Sequence, residues 1–341
     1  MFKKIPSWHE MDKTQISLDT LVEEYLTTCR LEGKSPKTIR GYREKLSRFV
    51  NTVGGTLADL NLHTARAYVA SLQKARKYEG HLYQPLTNEP ISVMTVRNHV
   101  RVLTAFSSWL EREEYTKGNT LAKLKAPRAP RKVMETLTLE EVTRILGGFN
   151  PNTATGCRNA AIFCLFLDTG LRCAELLELK RSNLHIEDGW LKVMGKGQKE
   201  RIVPFGNRTA RLMQRYVNHF RPDNHGTEIV FLNIEGDPLT ETAITSIFRR
   251  LAMKAGIPRL HIHLLRHTFA TNYLIGDGDS LTLQRILGHE TLEMTRRYVD
   301  QVASQVTVLR ARHSPVDRLV NNSNRRGTFA NGIKWTGDRL T

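Results

Sequence analysis

The sequence predicts a mainly α-helical protein of two domains, the second with a small antiparallel β-sheet at one edge. Three observations carry this. Apolar residues recur at helical spacing through most of the chain before about residue 300. One basic, proline-containing run, KLKAPRAPRK at 123–132, interrupts that periodicity. Short strand-like segments joined by polar turns are confined to 185–204.

The elements follow in order. Residues 17–31 read as a helix, with Thr20 and Glu23 able to form a capping box in its first turn and Leu21, Tyr25 and Leu26 opening its apolar face. Ser35-Pro36 is a second start signal, a cap followed by proline at the first helical position. Ile39, Tyr42, Leu46, Phe49 and Val50 then recur at helix spacing until Gly54-Gly55. Further helices are expected at 62–77 and 93–113, the latter with Val96, Val100, Leu103, Phe106 and Leu110 on one side, and 78–92 reads as a loop. These make a first domain of about four helices. Beyond the basic run, Thr138 and Glu141 form a capping box, and the apolar segment 160–168 reads as a buried helix ending at Gly170. Ile186, 190–193 and 201–203 read as strands around a turn Gly195-Lys196-Gly197-Gln198-Lys199, with 229–232 a further candidate. Helices are expected at 208–219, 240–255, 262–275, 280–287 and 291–300; from about 314 periodicity fades.

Composition narrows the function. The 341 residues are 40% apolar and 25% charged, enough for a real core and more than one comfortable domain. No apolar run reaches the roughly 18 residues of a membrane span, and MFKKIPSWHEMDKTQ has no signal-like apolar core, so no membrane partner is expected. Cys29, Cys157, Cys164 and Cys173 follow no metal or disulfide spacing, which fits a reducing cytoplasm. Lys plus Arg exceeds Asp plus Glu by 51 − 34 = 17. The excess is split evenly: 23 − 15 = 8 for 1–140 and 28 − 19 = 9 for 141–341. Both halves suit a polyanion such as nucleic acid, although a solubilising surface gives the same sum.

Four clusters could do chemistry. In Thr169-Gly170-Leu171-Arg172-Cys173-Ala174-Glu175, Arg172 follows a glycine break and Glu175 lies three residues on, as an orienting partner or as half of a surface ion pair. Lys196, flanked by glycines at a hairpin tip, could reach a bound anion or simply be solvated. In His261-Ile262-His263-Leu264-Leu265-Arg266-His267, the residues His263, Arg266 and His267 share one helix side. The arginine within the cluster argues against a metal and for a clamp on phosphate oxygens; His267 reads first as a buried structural histidine. Leu287-Gly288-His289-Glu290 then leads to Arg296-Arg297-Tyr298. A phenol of pKa near 10 is a poor nucleophile unless cations surround it. Arg172, Lys196, His263, Arg266 and His289 could supply that surrounding, which suits phosphodiester transfer to Tyr298 with no metal and no cofactor.

With these motifs in this order, the sequence resembles the tyrosine recombinase (phage integrase) family, most closely its Xer-like and transposon or phage integrase members. TGLRCAEL, GKGQKER, HLLRH and LGH carry the resemblance, with Tyr298 nine residues after His289. It is loose over the first domain and strong over 138–300. The resemblance implies a SAM-like helical core-binding domain at 14–122, a basic linker at 123–136, a catalytic domain at 137–312 and a tail at 313–341. It implies catalytic roles for Arg172, Lys196, His263, Arg266, His289 and Tyr298, support from Glu175 and His267, and DNA contacts from Lys123, Lys125, Arg128, Arg131 and Lys132. Further implications are a site-specific recombinase acting through a 3′-phosphotyrosyl intermediate and a four-way junction, and a partner double-stranded DNA bearing a specific recombination site. A homotetramer on two duplexes, a segment at 301–312 donated to a neighbour and a nucleoid-associated location complete the picture. About 15 residues precede the first helix, so no separate arm-binding domain is expected. The alternatives are a type IB topoisomerase-like enzyme, which would reseal the same strand, and a non-catalytic DNA-binding accessory protein of the same fold.

Overall fold

The computed structural model describes residues 13–77, 87–129, 134–195, 199–223 and 226–306. Lys196, Arg131, Lys132, part of the 78–92 loop and everything from 307 onward lie outside them. The chain divides into two compact units, Met1–Arg131 and Lys132–Thr341.

The first unit holds α1 (Leu18–Leu31), α2 (Pro36–Val53), α3 (Leu62–Lys74) and α4 (Val93–Arg112). Ser35 caps α2 by accepting from the Thr38 N–H, and proline fills the first helical position. The cap of α1 differs from the expected Thr20–Glu23 box: Ser17 accepts from Asp19 N–H, and Glu23 is instead paired with Arg43 of α2. With the cap three residues earlier, at Ser17, Glu23 is left to a contact between helices. Leu21, Tyr25, Leu26, Leu46, Phe49, Tyr68, Leu72, Phe106 and Leu110 form one buried cluster from all four helices. Within it the Tyr68 hydroxyl and His99 Nδ1 are hydrogen-bonded at 2.9 Å, tying α3 to α4. Lys123, Lys125 and Arg128 are exposed, and the first two line a surface groove with Arg66 and Gln73.

The second unit is helical around a three-stranded antiparallel sheet. Its elements are α5 (Leu139–Gly147), α6 (Ala154–Thr169), α7 (Cys173–Leu177), β1 (Leu184–His185), β2 (Trp190–Met194), β3 (Glu200–Pro204), α8 (Asn207–Arg215), α9 (Glu241–Ala255), α10 (Ile262–Ile275), α11 (Ser280–Leu287) and α12 (Leu292–Val306). The Thr138–Glu141 capping box is formed in both directions. Strand order is β1-β2-β3, with Leu191 opposite Val203 and Val193 opposite Arg201. The 208–219 helix is shorter than expected: α8 gives way to a π-helical turn, Tyr216–Phe220. Residues 229–232 make two isolated bridges, Lys180–Ile229 and Leu232–Pro238, in place of a strand. α12 continues without a break through Val306, so the start of the 301–312 segment belongs to the helix that bears Tyr298.

α6 is buried on nearly every side, with Phe163, Leu165 and Phe166 in the main core. It ends at Gly170, whose φ of +61° suits glycine, and a side chain there would meet the Phe269 ring at 2.7 Å. A satellite cluster joins Ala270 and Leu274 of α10, Leu283 and Leu287 of α11, and Tyr298 and Val302 of α12. Gln301 of α12 also clasps Met134, accepting from its N–H at 2.8 Å and donating to its carbonyl at 2.6 Å. Among the described residues no helix is long and apolar enough to cross a membrane, and no group of His, Cys, Asp and Glu could hold a metal ion.

Candidate active site

The three carbonyls of Ile286, Leu287 and Gly288 close α11 and organise the site. Such carbonyls lack partners within a helix and lie at the negative end of its dipole. Arg172 donates from Nη2 to the Gly288 carbonyl at 2.9 Å. Arg266 donates from Nη2 to the Leu287 carbonyl at 2.8 Å and from Nη1 to the Gly170 carbonyl at 2.5 Å. Arg201 of β3 donates from Nε to the Ile286 carbonyl at 2.8 Å. Two of these arginines were legible in the sequence; Arg201 was not.

Glu175 is the carboxylate of the group. Its side chain is 5% exposed, so it is no surface ion pair. It accepts from both Arg201 Nη atoms at 2.8 Å, from Arg172 Nη1 at 2.9 Å and from the Arg172 backbone N–H at 2.8 Å. Burial alone would raise its pKa; the Arg201 fork, helped by Arg172, outweighs it and holds the group below the ordinary carboxylate range. Arg266 is 6% exposed, and burial, then Arg172, lowers its pKa to about 10, so it stays cationic at neutral pH.

Tyr298 is 4% exposed and lies in the satellite cluster. Its hydroxyl is hydrogen-bonded to His267 Nδ1 at 2.9 Å, and its ring lies parallel to His289 at 6.2 Å between centroids. Burial raises the phenol pKa, against the opposing influence of Arg266 and Arg297. The resemblance gives His263 a catalytic role and His267 a supporting one, and the residue pattern alone reads His267 as structural; the structure gives the Tyr298 hydroxyl to His267. One helical turn makes the difference, because residue 267 faces α12 while His263 keeps an exposed edge. Two chain-adjacent pairs bring the phenol to the arginines: Arg266 with His267, and Gly288, which receives Arg172, with His289. His289 Nδ1 is hydrogen-bonded to the Thr295 hydroxyl at 2.9 Å.

All these imidazoles favour the neutral form. Burial, then Arg266, Arg172 and Arg201, lowers His289 to about 4. Protein packed beside one face, then His261, Arg266 and Arg172, lowers His263; burial, then His263, lowers His267. In the first unit burial takes His99 to about 4. Each binds its proton more readily in the unfolded chain, where imidazole titrates near pH 6.5. Stability is therefore complete above about pH 6.5 and falls as the pH drops towards about 4. Glu175, depressed instead, contributes stability above the ordinary carboxylate range that is lost as pH falls through its lowered value. The expected result is a thermal midpoint that declines from pH 6.5 to 4 and falls further as Glu175 is protonated; a flat profile over that window contradicts these assignments.

Residues 135–305 match the model of the phage integrase family. The chain is 30% identical over 294 residues to the tyrosine recombinase XerD of Staphylococcus aureus (strain Mu50 / ATCC 700699), covering 85% of this chain and 96% of that one. It is likewise 30% identical over 296 residues to XerD of Staphylococcus saprophyticus, with the same coverage. Among solved structures it is similar to the Tn1549 transposon integrase in complex with transposon right end DNA: TM-score 0.67, 19% identity, 86% of this chain and 99% of that one. A lambda integrase dimer bound to a COC′ core site matches with TM-score 0.67 and 18% identity over 94% of this chain and 100% of that one. The fold is thus shared with these integrases: mainly helical, with a small antiparallel sheet. The chain belongs to the phage integrase family of tyrosine recombinases.

Proposed function

We propose that this protein is a site-specific DNA recombinase that cleaves and rejoins strands through a 3′-phosphotyrosyl intermediate at Tyr298. The observation that carries the reading is the hanging of Arg172 and Arg266 on adjacent carbonyls of α11, beside histidines that hold and flank one buried tyrosine. A guanidinium offers five donors; Arg172 donates from Nη1 to Glu175 and from Nη2 to Gly288, and its side chain stays 33% exposed, so its remaining donors can meet phosphate oxygens.

In the proposed step the Tyr298 oxygen attacks phosphorus, a new P–O bond forms and the bond to the 5′-oxygen breaks. The phenolic proton leaves towards His267, with His263 as a further base or donor. Lys196, the hairpin lysine, protonates the departing 5′-oxygen. Arg172, Arg266 and His289 bind the non-bridging oxygens, where transition-state charge develops. Because Tyr298 is buried in the satellite cluster, DNA binding brings its hydroxyl to the phosphate through a shift of α12. The 5′-hydroxyl of a second duplex then attacks the phosphotyrosine and restores the diester with exchanged strands. Two such rounds pass through a four-way junction, which calls for four copies on two duplexes. Residues 14–122 serve as a SAM-like core-binding domain, 123–136 as a basic linker contacting DNA through Lys123, Lys125, Arg128, Arg131 and Lys132, 137–312 as the catalytic domain and 313–341 as a tail for neighbouring copies.

The test is incubation with a nicked suicide duplex carrying the cognate site, with a chelator present. The expected product is a denaturation-resistant protein–DNA adduct, and strand-exchanged product when a second duplex is added. DNA binding without any adduct would overturn the reading in favour of a non-catalytic role.

A further inference from the structure

Arg201 stands in the middle of this arrangement, all three of its donor nitrogens turned to protein groups. Its side chain is 11% exposed. Nε is spent on the Ile286 carbonyl, Nη1 and Nη2 on the two oxygens of Glu175, all at 2.8 Å. The fit is close: a Cβ on Gly288, whose φ is +61°, would lie 3.0 Å from Arg201 Nη1. β3, α7 and the end of α11 are thereby joined through one guanidinium.

We propose that Arg201 is a positioning residue for Arg172, an inference that rests on the phosphate-binding role given to Arg172 above. A carboxylate can hold an arginine by both oxygens in a planar fork. Glu175 gives that fork to Arg201, so the Arg172 guanidinium is held by a single oxygen, Oε1, and by the Gly288 carbonyl, while the Arg172 backbone N–H donates to Oε2. Without Arg201 the buried carboxylate keeps Arg172 as its one guanidinium partner of those two. The pair then closes into a fork of its own and turns the Arg172 donors away from the phosphate. The end of α11 also loses its tie to β3, which shifts the Leu287 and Gly288 carbonyls that hold Arg266 and Arg172. Arg201 thus acts at a distance from the reacting atoms by deciding how Glu175 shares its oxygens.

The experiment uses the full chain with Arg201→Gln and Arg201→Lys, on a nicked duplex and on the same duplex with a methylphosphonate at the scissile position. The methyl group replaces one non-bridging oxygen and removes the charge that Arg172 neutralises. Arg201→Gln is expected to slow adduct formation by about 10²-fold on the phosphate, roughly the cost of one lost transition-state donor. The deficit is expected to shrink to less than about 10-fold on the uncharged duplex, where that donor matters less. Added to Arg172→Ala it should cost little more, since both changes remove the same interaction. Arg201→Lys keeps the charge without the fork and should fall between, with the same contraction; it also decides the matter should the glutamine variant fail to fold. An equal deficit on both duplexes, additive with Arg172→Ala, would make Arg201 merely structural and overturn the inference. So would an undiminished rate. A parent chain that forms no adduct instead overturns the functional reading, and this inference with it.

Discussion

A Tyr298→Phe chain binds its DNA as tightly as the parent and forms no covalent adduct. The substitution removes one oxygen from a ring that is already packed among Leu274, Leu283, Leu287 and Val302. The fold loses the hydrogen bond to His267, which costs about 1 kcal/mol for a partly buried pair. On the proposed mechanism the chemistry loses its nucleophile, and the expected fall is on the order of 10⁴-fold or more. Single-turnover adduct formation, with thermal unfolding and a DNA-binding isotherm as controls, separates the two effects. An adduct that persists at the parental rate would remove Tyr298 from the mechanism.

The second large effect belongs to Arg266, and it is a double one. On the proposed mechanism Arg266→Ala removes a donor to transition-state charge, and adduct formation is expected to slow by about 10²–10³-fold. It also leaves the Gly170 and Leu287 carbonyls without their partner, at about 1–3 kcal/mol for each buried group so stranded. Arg172→Ala is expected to match the rate loss with a smaller stability loss. Its side chain is 33% exposed, and Glu175 keeps the Arg201 fork when Arg172 is gone. Adduct kinetics beside chemical denaturation tests the contrast. Equal destabilisation by the two substitutions would show that burial and carbonyl contacts do not distinguish them.

The sequence revealed helices wherever one apolar stripe faces one core, as in α2, α4 and α9, because the period of 3.6 is then unmistakable. It was less informative where geometry depends on distant contacts. α7 is only five residues long and carries too little pattern to stand out. Ile229–Leu232 has strand-like residues, but its backbone is used in isolated bridges and loop contacts. Arg172, Arg266, His289 and Tyr298 could be selected by residue type and order. The allocation of the Tyr298 hydroxyl to His267 rather than His263 needed the packing of α12 on α10.

Arg201 shows both the limit and the clue. Its partners, Glu175 and Ile286, lie 26 and 85 residues away, and no local spacing announces them. Yet it sits two residues before buried Val203 on the same strand face. A cation on the inward side of a strand calls for a buried acceptor, and that alternation was available in the sequence.

The central claim is that one phenol oxygen, that of Tyr298, takes the scissile phosphate. Digesting the trapped adduct and mapping the modified peptide by mass spectrometry tests it most directly. The account predicts a nucleotide joined through its 3′-phosphate to Tyr298, with a free 5′-hydroxyl on the released strand. A nucleotide on any other side chain, or a linkage through a 5′-phosphate, would contradict it.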